Sequence, residues 1–460
     1  MSNKNDDSRM SSGHETDAAL SRRSFMKSSA GVVGGLMVPS IFSLAYAADG
    51  DHPAVGNYPA GVQGDTVFVG ISVPLTGPYS TEGADEQRGY ELAIAQLNAG
   101  DSRIKKISPN TKQGVLGKKV VHEVADNETD PNTAVQANTR WIRDKKAMMI
   151  TGSVSSAVAI ACEKLAQREK TPYLACISGS NDTTGKDCQR YGFRSCPFAY
   201  NSAKAQAPIL ADALGKDRKA VYLVPDYTYG HTVYDSMTEF TEALGWKTVG
   251  KQLAPLGTSD FSSYLLNIAN SDADVMVNIA FGADAANSTK QAKQFGILDK
   301  MAYVVPYMSP FLADEVGADI MQDVYGVQDF WWTMADDNQI AKDFVDAFEE
   351  KYGDKPRWSA AAAYMQTALW ADAVERAGTW YPPAVVKAYE DESVTRDTIY
   401  GEAHWRACDH QLVRPIPVVK GKKPADMRNK DDFFEVVGMS GAEEVMPACD
   451  HFGCELGPYT

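Results

Sequence analysis

From Thr66 onward the chain alternates short runs rich in β-branched residues with longer stretches whose apolar positions recur at helical spacing. Thr66–Val73 (TVFVGISV) predicts a strand, and Pro74-Leu75-Thr76-Gly77-Pro78 predicts the loop that stops it. Tyr90, Ala93, Ile94 and Leu97 then fall at i, i+3, i+4 and i+7, one face of a helix. Residues 119–124 predict a second strand. Asp130-Pro131 reads as an N-cap followed by a proline at the first helical position, with Trp141 and Ile142 on the helix behind it. Residues 147–151 predict a buried strand running into Gly152-Ser153-Val154-Ser155-Ser156 and another helix, and residues 172–178 a further strand.

After Phe198 the rhythm restarts. Residues 220–224, 247–253, 274–281, 301–305 and 324–330 predict strands with helical segments between the earlier ones, followed by long helices over 338–352 and 359–377 and a final strand at 416–419. Two such blocks, each of ordinary domain size, imply an α/β protein with two doubly wound parallel sheets covered by helices on both faces. Open sheets of this kind bind ligands outside the carboxyl ends of their strands, so the chemistry is expected in the loops that follow strands.

Composition narrows the partners. With 44% hydrophobic and 23% charged residues, the 460-residue chain has the apolar mass for a large core and is neither disordered nor a polytopic membrane protein. A formal net charge of −15 sets its field against nucleic acid. Residues 1–47 read as an address. Ser21-Arg22-Arg23-Ser24-Phe25-Met26-Lys27 resembles a twin-arginine export signal, an uncharged glycine-containing stretch follows, and Ala45-Tyr46-Ala47 is a small-x-small cleavage site. The expected mature product is periplasmic, with residues 48–64 as a flexible lead-in.

The loops after the strands carry two kinds of side chain. In the first block they are Thr76–Ser80, 152–156 and 178–183, rich in hydroxyls and in backbone N–H groups at helix starts, which suit a carboxylate or a polarised carbonyl. In the second they are Pro225-Asp226-Tyr227-Thr228-Tyr229-Gly230, Phe281-Gly282-Ala283-Asp284 and Pro306-Tyr307-Met308, rings and acids that suit an apolar body beside an amine or amide. A single serine at such a place ordinarily just caps its helix. Two serine-rich loops in one sheet, facing tyrosine-rich loops of another, read as a site. For a ligand ammonium, Asp284 or Asp226 would be the acceptor.

In order and spacing, GISVPLTGPYSTEG (70–83), TGSVSSAVAIA (151–161), CISGSNDTT (176–184), VPDYTYG (224–230) and AAAYMQTALWADAVERAG (361–378) resemble the periplasmic solute-binding proteins of the branched-chain amino acid, amide and urea ABC transporter family, with the type I binding-protein fold. The resemblance covers residues 65–419. It implies two lobes, residues 65–198 plus 331–403 and residues 199–330 plus 404–425, joined by a three-segment hinge with crossovers near 197–201, 326–332 and 402–414, and a C-terminal extension over 426–460. It implies a cleft in which Tyr79, Ser155, Ser156, Ser178, Ser180 and Asp182 of lobe one meet Tyr229, Phe281, Asp284 and Tyr307 of lobe two around a small amino acid, amide or urea-like ligand. The partner implied is an ABC permease in the inner membrane, served by a monomer or weak dimer, with no catalytic residue, cofactor or metal. Asp182 departs from the leucine-type loop and would repel a ligand carboxylate unless it points elsewhere. Two other readings stand beside this one. A sensor subunit would use the same cleft, whereas an exported cofactor-dependent enzyme would need a nucleophile–base pair or metal cluster, for which only His231 lies in a loop after a strand.

Cys188 and Cys196 bracket a short loop and are expected to form a disulfide in an oxidising compartment. Cys408-Asp409-His410 and Cys449-Asp450-His451, with Cys454, invite a zinc reading, but export and the lack of any Cys-x-x-Cys favour a disulfide among these three cysteines. Cys162 and Cys176 read as buried thiols. Trp331-Trp332 reads as packing near a crossover, with the cleft as the alternative. The Gly401–Val419 segment and the tail are expected to wrap the second lobe.

Overall fold

The computed structural model describes residues 52–460. The leader and its cleavage site lie outside the described residues. The first sheet is built from β1 (Thr66–Val73), β2 (Lys119–Asp126), β3 (Met149–Gly152), β4 (Tyr173–Ala175) and β5 (Gly192–Arg194), all parallel, in the order β2-β1-β3-β4-β5. Its helices are α1 (Ser80–Ala99), α2 (Pro131–Asp144) and α3 (Ser156–Glu169). Asp130 caps α2 as its sequence predicts, accepting from the Thr133 N–H at 2.8 Å.

From β5 the chain passes through α4 (Ala199–Leu214) into the second sheet. Here β6 (Lys219–Pro225), β7 (Lys247–Ala254), β8 (Val275–Asn278), β9 (Ala302–Tyr307) and β10 (Tyr325–Val327) run parallel, and α5 (Thr228–Ala243), α6 (Ser262–Ala269), α7 (Gly282–Gln294), α8 (Pro310–Val316) and α9 (Ala318–Met321) connect them. The chain then returns to the first side as α10 (Gln339–Tyr352), α11 (Trp358–Ala377), α12 (Pro382–Tyr389) and a three-stranded antiparallel sheet of β11 (Arg396–Thr398), β12 (Gly401–Trp405) and β13 (Leu412–Val413). A third passage leads to β14 (Ile416–Gly421) and β15 (Phe434–Ser440), which extend the second sheet antiparallel, giving the order β15-β14-β10-β9-β8-β6-β7.

Burial follows position in the sheets. β3 and β8 are buried at every residue, as parallel strands covered on both faces must be, whereas the edge strands β7 and β15 alternate between exposed and sheltered positions. α1 lies along α11, and the contact is close because both helices are small there. A Cβ on Gly89 would stand 2.2 Å from the Ala360 carbonyl.

Several expectations need correction. The lead-in is not loose where it is described: Tyr58 is buried, and the Asn57 side chain donates to the carbonyls of Ile142 and Ala147. The change of sheet does not fall at residue 404. Residues 401–413 form the small sheet on the first side, where Trp405 packs edge-on against Phe193 of β5, and the chain crosses at Arg414-Pro415. Cys188 is not bonded to Cys196. Cys188 lies before β5 and Cys196 after it, so an extended strand, rising about 3.3 Å per residue, stands between them. The bridges are Cys188–Cys454 and Cys408–Cys449, with Cys162, Cys176 and Cys196 as buried thiols. A disulfide within the tail cysteines was expected and occurs; Cys454 pairs outside that group. No group of three or more potential metal-binding His, Cys, Asp or Glu side chains occurs among the described residues.

These bridges define what the tail does. It does not simply wrap the second lobe. Val445 packs with Ala205, Val327, Ile416 and Val418 on the second side. Beyond it, Cys449 and Cys454 are bonded to the first side, Gly457 and Pro458 accept from Arg190 and Gln167, and the Tyr459 hydroxyl donates to Glu390. The tail is therefore a fourth connection between the two sides, fastened by covalent bonds.

Candidate functional site

The carboxyl ends of the two parallel sheets face each other, and the loops that leave them touch. Tyr79 precedes α1 and its hydroxyl bonds the Tyr227 hydroxyl at 2.8 Å. The Ser180 hydroxyl bonds Thr228 at 2.8 Å, Asn181 donates to Thr232 and Ser236, and Ser309 donates to Glu82 at 3.0 Å. Arg357, just before α11, pairs with Asp314 of α8 at 3.2 Å. The Ala283 N–H donates to the Pro78 carbonyl at 2.9 Å, an approach that Gly282 permits. Gly282 has φ 57°, and a Cβ there would stand 2.4 Å from that carbonyl.

Six rings crowd this junction. Phe281 stacks on Trp358 at 5.5 Å and meets Tyr79 edge-on at 5.6 Å. Tyr229 meets Tyr307 edge-on at 5.6 Å, lies 5.8 Å from Tyr227, and closes over Gly179, where a Cβ would stand 2.8 Å from the ring. Ring pairs at these separations add about 0.5–1.5 kcal/mol each beyond their buried area. Buried polar groups without a hydrogen-bond partner occur on two of these rings, the Tyr229 hydroxyl and the Trp358 indole N–H, and on the helix starts at Ser155 and Ser359. A buried donor left unpaired costs about 1–3 kcal/mol.

The ten residues singled out by the sequence divide into groups. Ser155, at the N-cap of α3, and Tyr229, in the first turn of α5, present free hydroxyls at the junction. Tyr79 and Phe281 supply ring faces. The others are committed within the protein. Ser156 accepts from the Ser180 N–H at 3.1 Å, Ser178 bonds Thr183 at 2.7 Å, and Tyr307 accepts from Ser202 at 2.9 Å. Ser180 bonds Thr228 across the junction. Asp182 is held by Thr228 at 2.7 Å and Lys186 at 3.1 Å. Asp284 accepts from the Gly257 N–H at 2.8 Å, and burial pushes its carboxyl up to about 6. Asp226 is half-exposed beside His231. Neither acid named for a ligand ammonium is free at the junction.

Trp358 and Ser359 are the residues that sequence reasoning missed. They open α11 directly after Pro356-Arg357, a bulky ring at the head of an alanine-rich helix, but they follow no strand. Trp331 and Trp332 are packing, as expected: their indoles donate to the Phe434 and Asp431 carbonyls beside β15. The lobe-one wall also holds three buried acids of α1. Burial raises Glu82 to about 7 and Asp85 to about 6, and pushes Glu86 well above the carboxylate range. Glu86 lies beside the Cys176 thiol with neither oxygen in a well-formed hydrogen bond.

A family model described as periplasmic binding protein matches residues 66–426. The chain belongs to the periplasmic binding protein family. Within it, this periplasmic binding protein is of type I and of the branched-chain amino acid ABC group. Leu/Ile/Val-binding protein homolog 8 of Brucella abortus is 30% identical over 306 residues, 63% of this chain and 71% of the relative. The amino acid ABC transporter substrate-binding protein from Pseudomonas fluorescens Pf-5 superposes with a TM-score of 0.74 at 25% identity, covering 85% of this chain and 99% of that one. A periplasmic binding protein from Burkholderia mallei, at 22% identity and a TM-score of 0.75, shares the fold over 83% of this chain and 96% of its own. Such proteins bind solutes and are not enzymes. No helix among the described residues is long and apolar enough to cross a membrane.

Proposed function

We propose that this periplasmic binding protein captures a small amino acid or amide-like solute between its two lobes and delivers it to an ABC permease in the inner membrane. The observation that carries the reading is the set of four unpaired buried donors, on Ser155, Ser359, Tyr229 and Trp358, two of them on rings of the cluster where the two sheets meet. The three passages between sheets act as the hinge. Opening separates Tyr79 from Tyr227 and Ser180 from Thr228. A solute bridging both walls favours the closed form by its differential affinity, and the permease reads that form. The chain works as a monomer or weak dimer. It is exported through the twin-arginine signal and cleaved after Ala47, and an oxidising compartment suits its two disulfides.

A thermal-shift panel of amino acids, amides, urea and aromatic acids tests the reading. A true ligand at about 100 times its Kd stabilises by about 2.7 kcal/mol. Tyr229→Ala should abolish the shift while leaving the protein folded. An unchanged shift in that variant would move the site elsewhere. Mass spectrometry of exported protein should place its first residue at Ala48.

A further inference from the structure

The serine loop 178–184 is held from behind by a buried arginine. Arg194, the last residue of β5, is fully buried. Its guanidinium donates to the Ser178 carbonyl at 2.9 Å, to the Ser180 carbonyl, to the Thr184 hydroxyl, and through Nε to Gln411 at 2.7 Å. It lies 4.6 Å from the Phe198 ring. All four acceptors are neutral. A buried guanidinium ordinarily has a carboxylate beside it, because taking such a charge out of water costs several kcal/mol unless it is compensated.

None of the acids around it among the described residues pairs with it directly. Asp409 is bidentate to Arg406, Asp329 pairs with Arg414, and Asp182 pairs with Lys186. Glu163 is buried nearby with neither oxygen hydrogen-bonded; burial raises its carboxyl while the Arg194 charge lowers it. Arg194 thus places a positive charge, hydrogen-bonded only to neutral acceptors, behind the loop whose other face, at Gly179, meets Tyr229. The neighbouring unpaired groups, the Ser155, Ser359 and Tyr229 hydroxyls and the Trp358 N–H, are all able to donate.

We infer that Arg194 is a positioning residue that fixes loop 178–184 and, through its buried charge, selects solutes presenting a carboxylate over their neutral-headed counterparts. This inference rests on the solute-binding reading above and narrows it. An anion in the cleft adds negative charge that no side chain sets at ion-pair distance from the guanidinium, and it accepts from the unpaired donors. An amide-headed solute of the same shape does only the second.

Calorimetry with matched pairs tests it: L-leucine and L-leucinamide, L-phenylalanine and its amide, benzoate and benzamide, on wild type, Arg194→Lys and Arg194→Met. In wild type the carboxylate member of any pair that binds should be favoured at least tenfold. Arg194→Lys should keep most of that preference. Arg194→Met should bring it below threefold, a change in ratio that a purely structural role would not produce. Equal binding of both members to wild type, or equal loss of both in Arg194→Met, overturns the charge assignment. Hydrogen exchange of the ligand-free chain decides the positioning role separately. Amides at 179–183 should exchange at least tenfold faster in Arg194→Met, with the first-sheet strands unchanged, and a loop as protected as wild type overturns it. If no member of any pair binds wild type, the solute-binding reading and the charge assignment fail together, while loop exchange still decides the positioning role.

Discussion

The two sides of the junction are built on opposite principles. The lobe-one wall is made of small hydroxyl-bearing loops that have little packing of their own. They are held by directional and covalent bonds: Arg194 behind loop 178–184, the Cys188–Cys454 bridge just beyond it, and the Ser156–Ser180 contact between neighbouring loops. The lobe-two wall is made of large rings, Tyr227, Tyr229, Phe281 and Tyr307, which fix one another by packing. Small polar loops gain precision only from bonds that specify direction. Rings gain it from area and shape. Two rings stand on the hydroxyl side as exceptions, Tyr79, edge-on to Phe281 of the other side, and Trp358, stacked on it. Trp358 is the piece most exposed to a change on either side.

Trp358→Ala should therefore be the most damaging single change, removing a buried indole at a cost of about 3–5 kcal/mol, read as a lower urea midpoint. Cys188→Ser attacks the covalent side of the comparison. It should cost about 2–4 kcal/mol and speed hydrogen exchange in loop 178–184, whereas Cys196→Ser, which touches no bridge, should leave both disulfides intact by mass spectrometry. A Cys196→Ser variant that loses a bridge would refute the pairing.

The acids of the hydroxyl wall give a pH test. Burial lifts Glu82 from about 4.5 to about 7 in the folded chain. The folded state then holds this proton more tightly than the unfolded one. The contribution is fully present below about 4.5 and is lost as pH rises through about 7, up to roughly 3 kcal/mol in all. Asp85 and Asp284, lifted to about 6, act in the same direction. The urea midpoint should be higher at pH 5 than at pH 8, and Glu82→Gln should flatten the upper part of that fall. The smallest effect separates shape from bonding on the ring wall. Tyr229→Phe keeps the ring and removes only an unpaired hydroxyl, so stability should hold while solute affinity falls about tenfold, near 1.4 kcal/mol.

Much of the fold was legible because burial imposes period. The strand at Thr66–Val73, the Asp130-Pro131 helix start and the restart after Phe198 all appear where local pattern placed them. The candidate loops were legible for a topological reason, since parallel sheets direct their strand ends to one edge. What a side chain does within a loop was not. Ser155 and Ser156 are neighbours of one residue type, yet one hydroxyl is unpaired and the other is taken by the Ser180 N–H. Cysteine pairing failed for the same reason. Short separation favoured Cys196, but the strand between them carried it away and the tail brought Cys454 to Cys188 from 266 residues on.

By itself the sequence determined the alternation of strands and helices, the two-sheet architecture, and which loops gather at the sheet edges, because these follow from local periodicity and chain connectivity. Only the tertiary structure decided which hydroxyls remain free, that Trp358 completes the ring cluster, that the tail ties the two sides together, and that Arg194 is buried with only neutral hydrogen-bond acceptors. Those depend on contacts between residues distant in the chain, and no local pattern encodes the company a side chain keeps once the sheets have met.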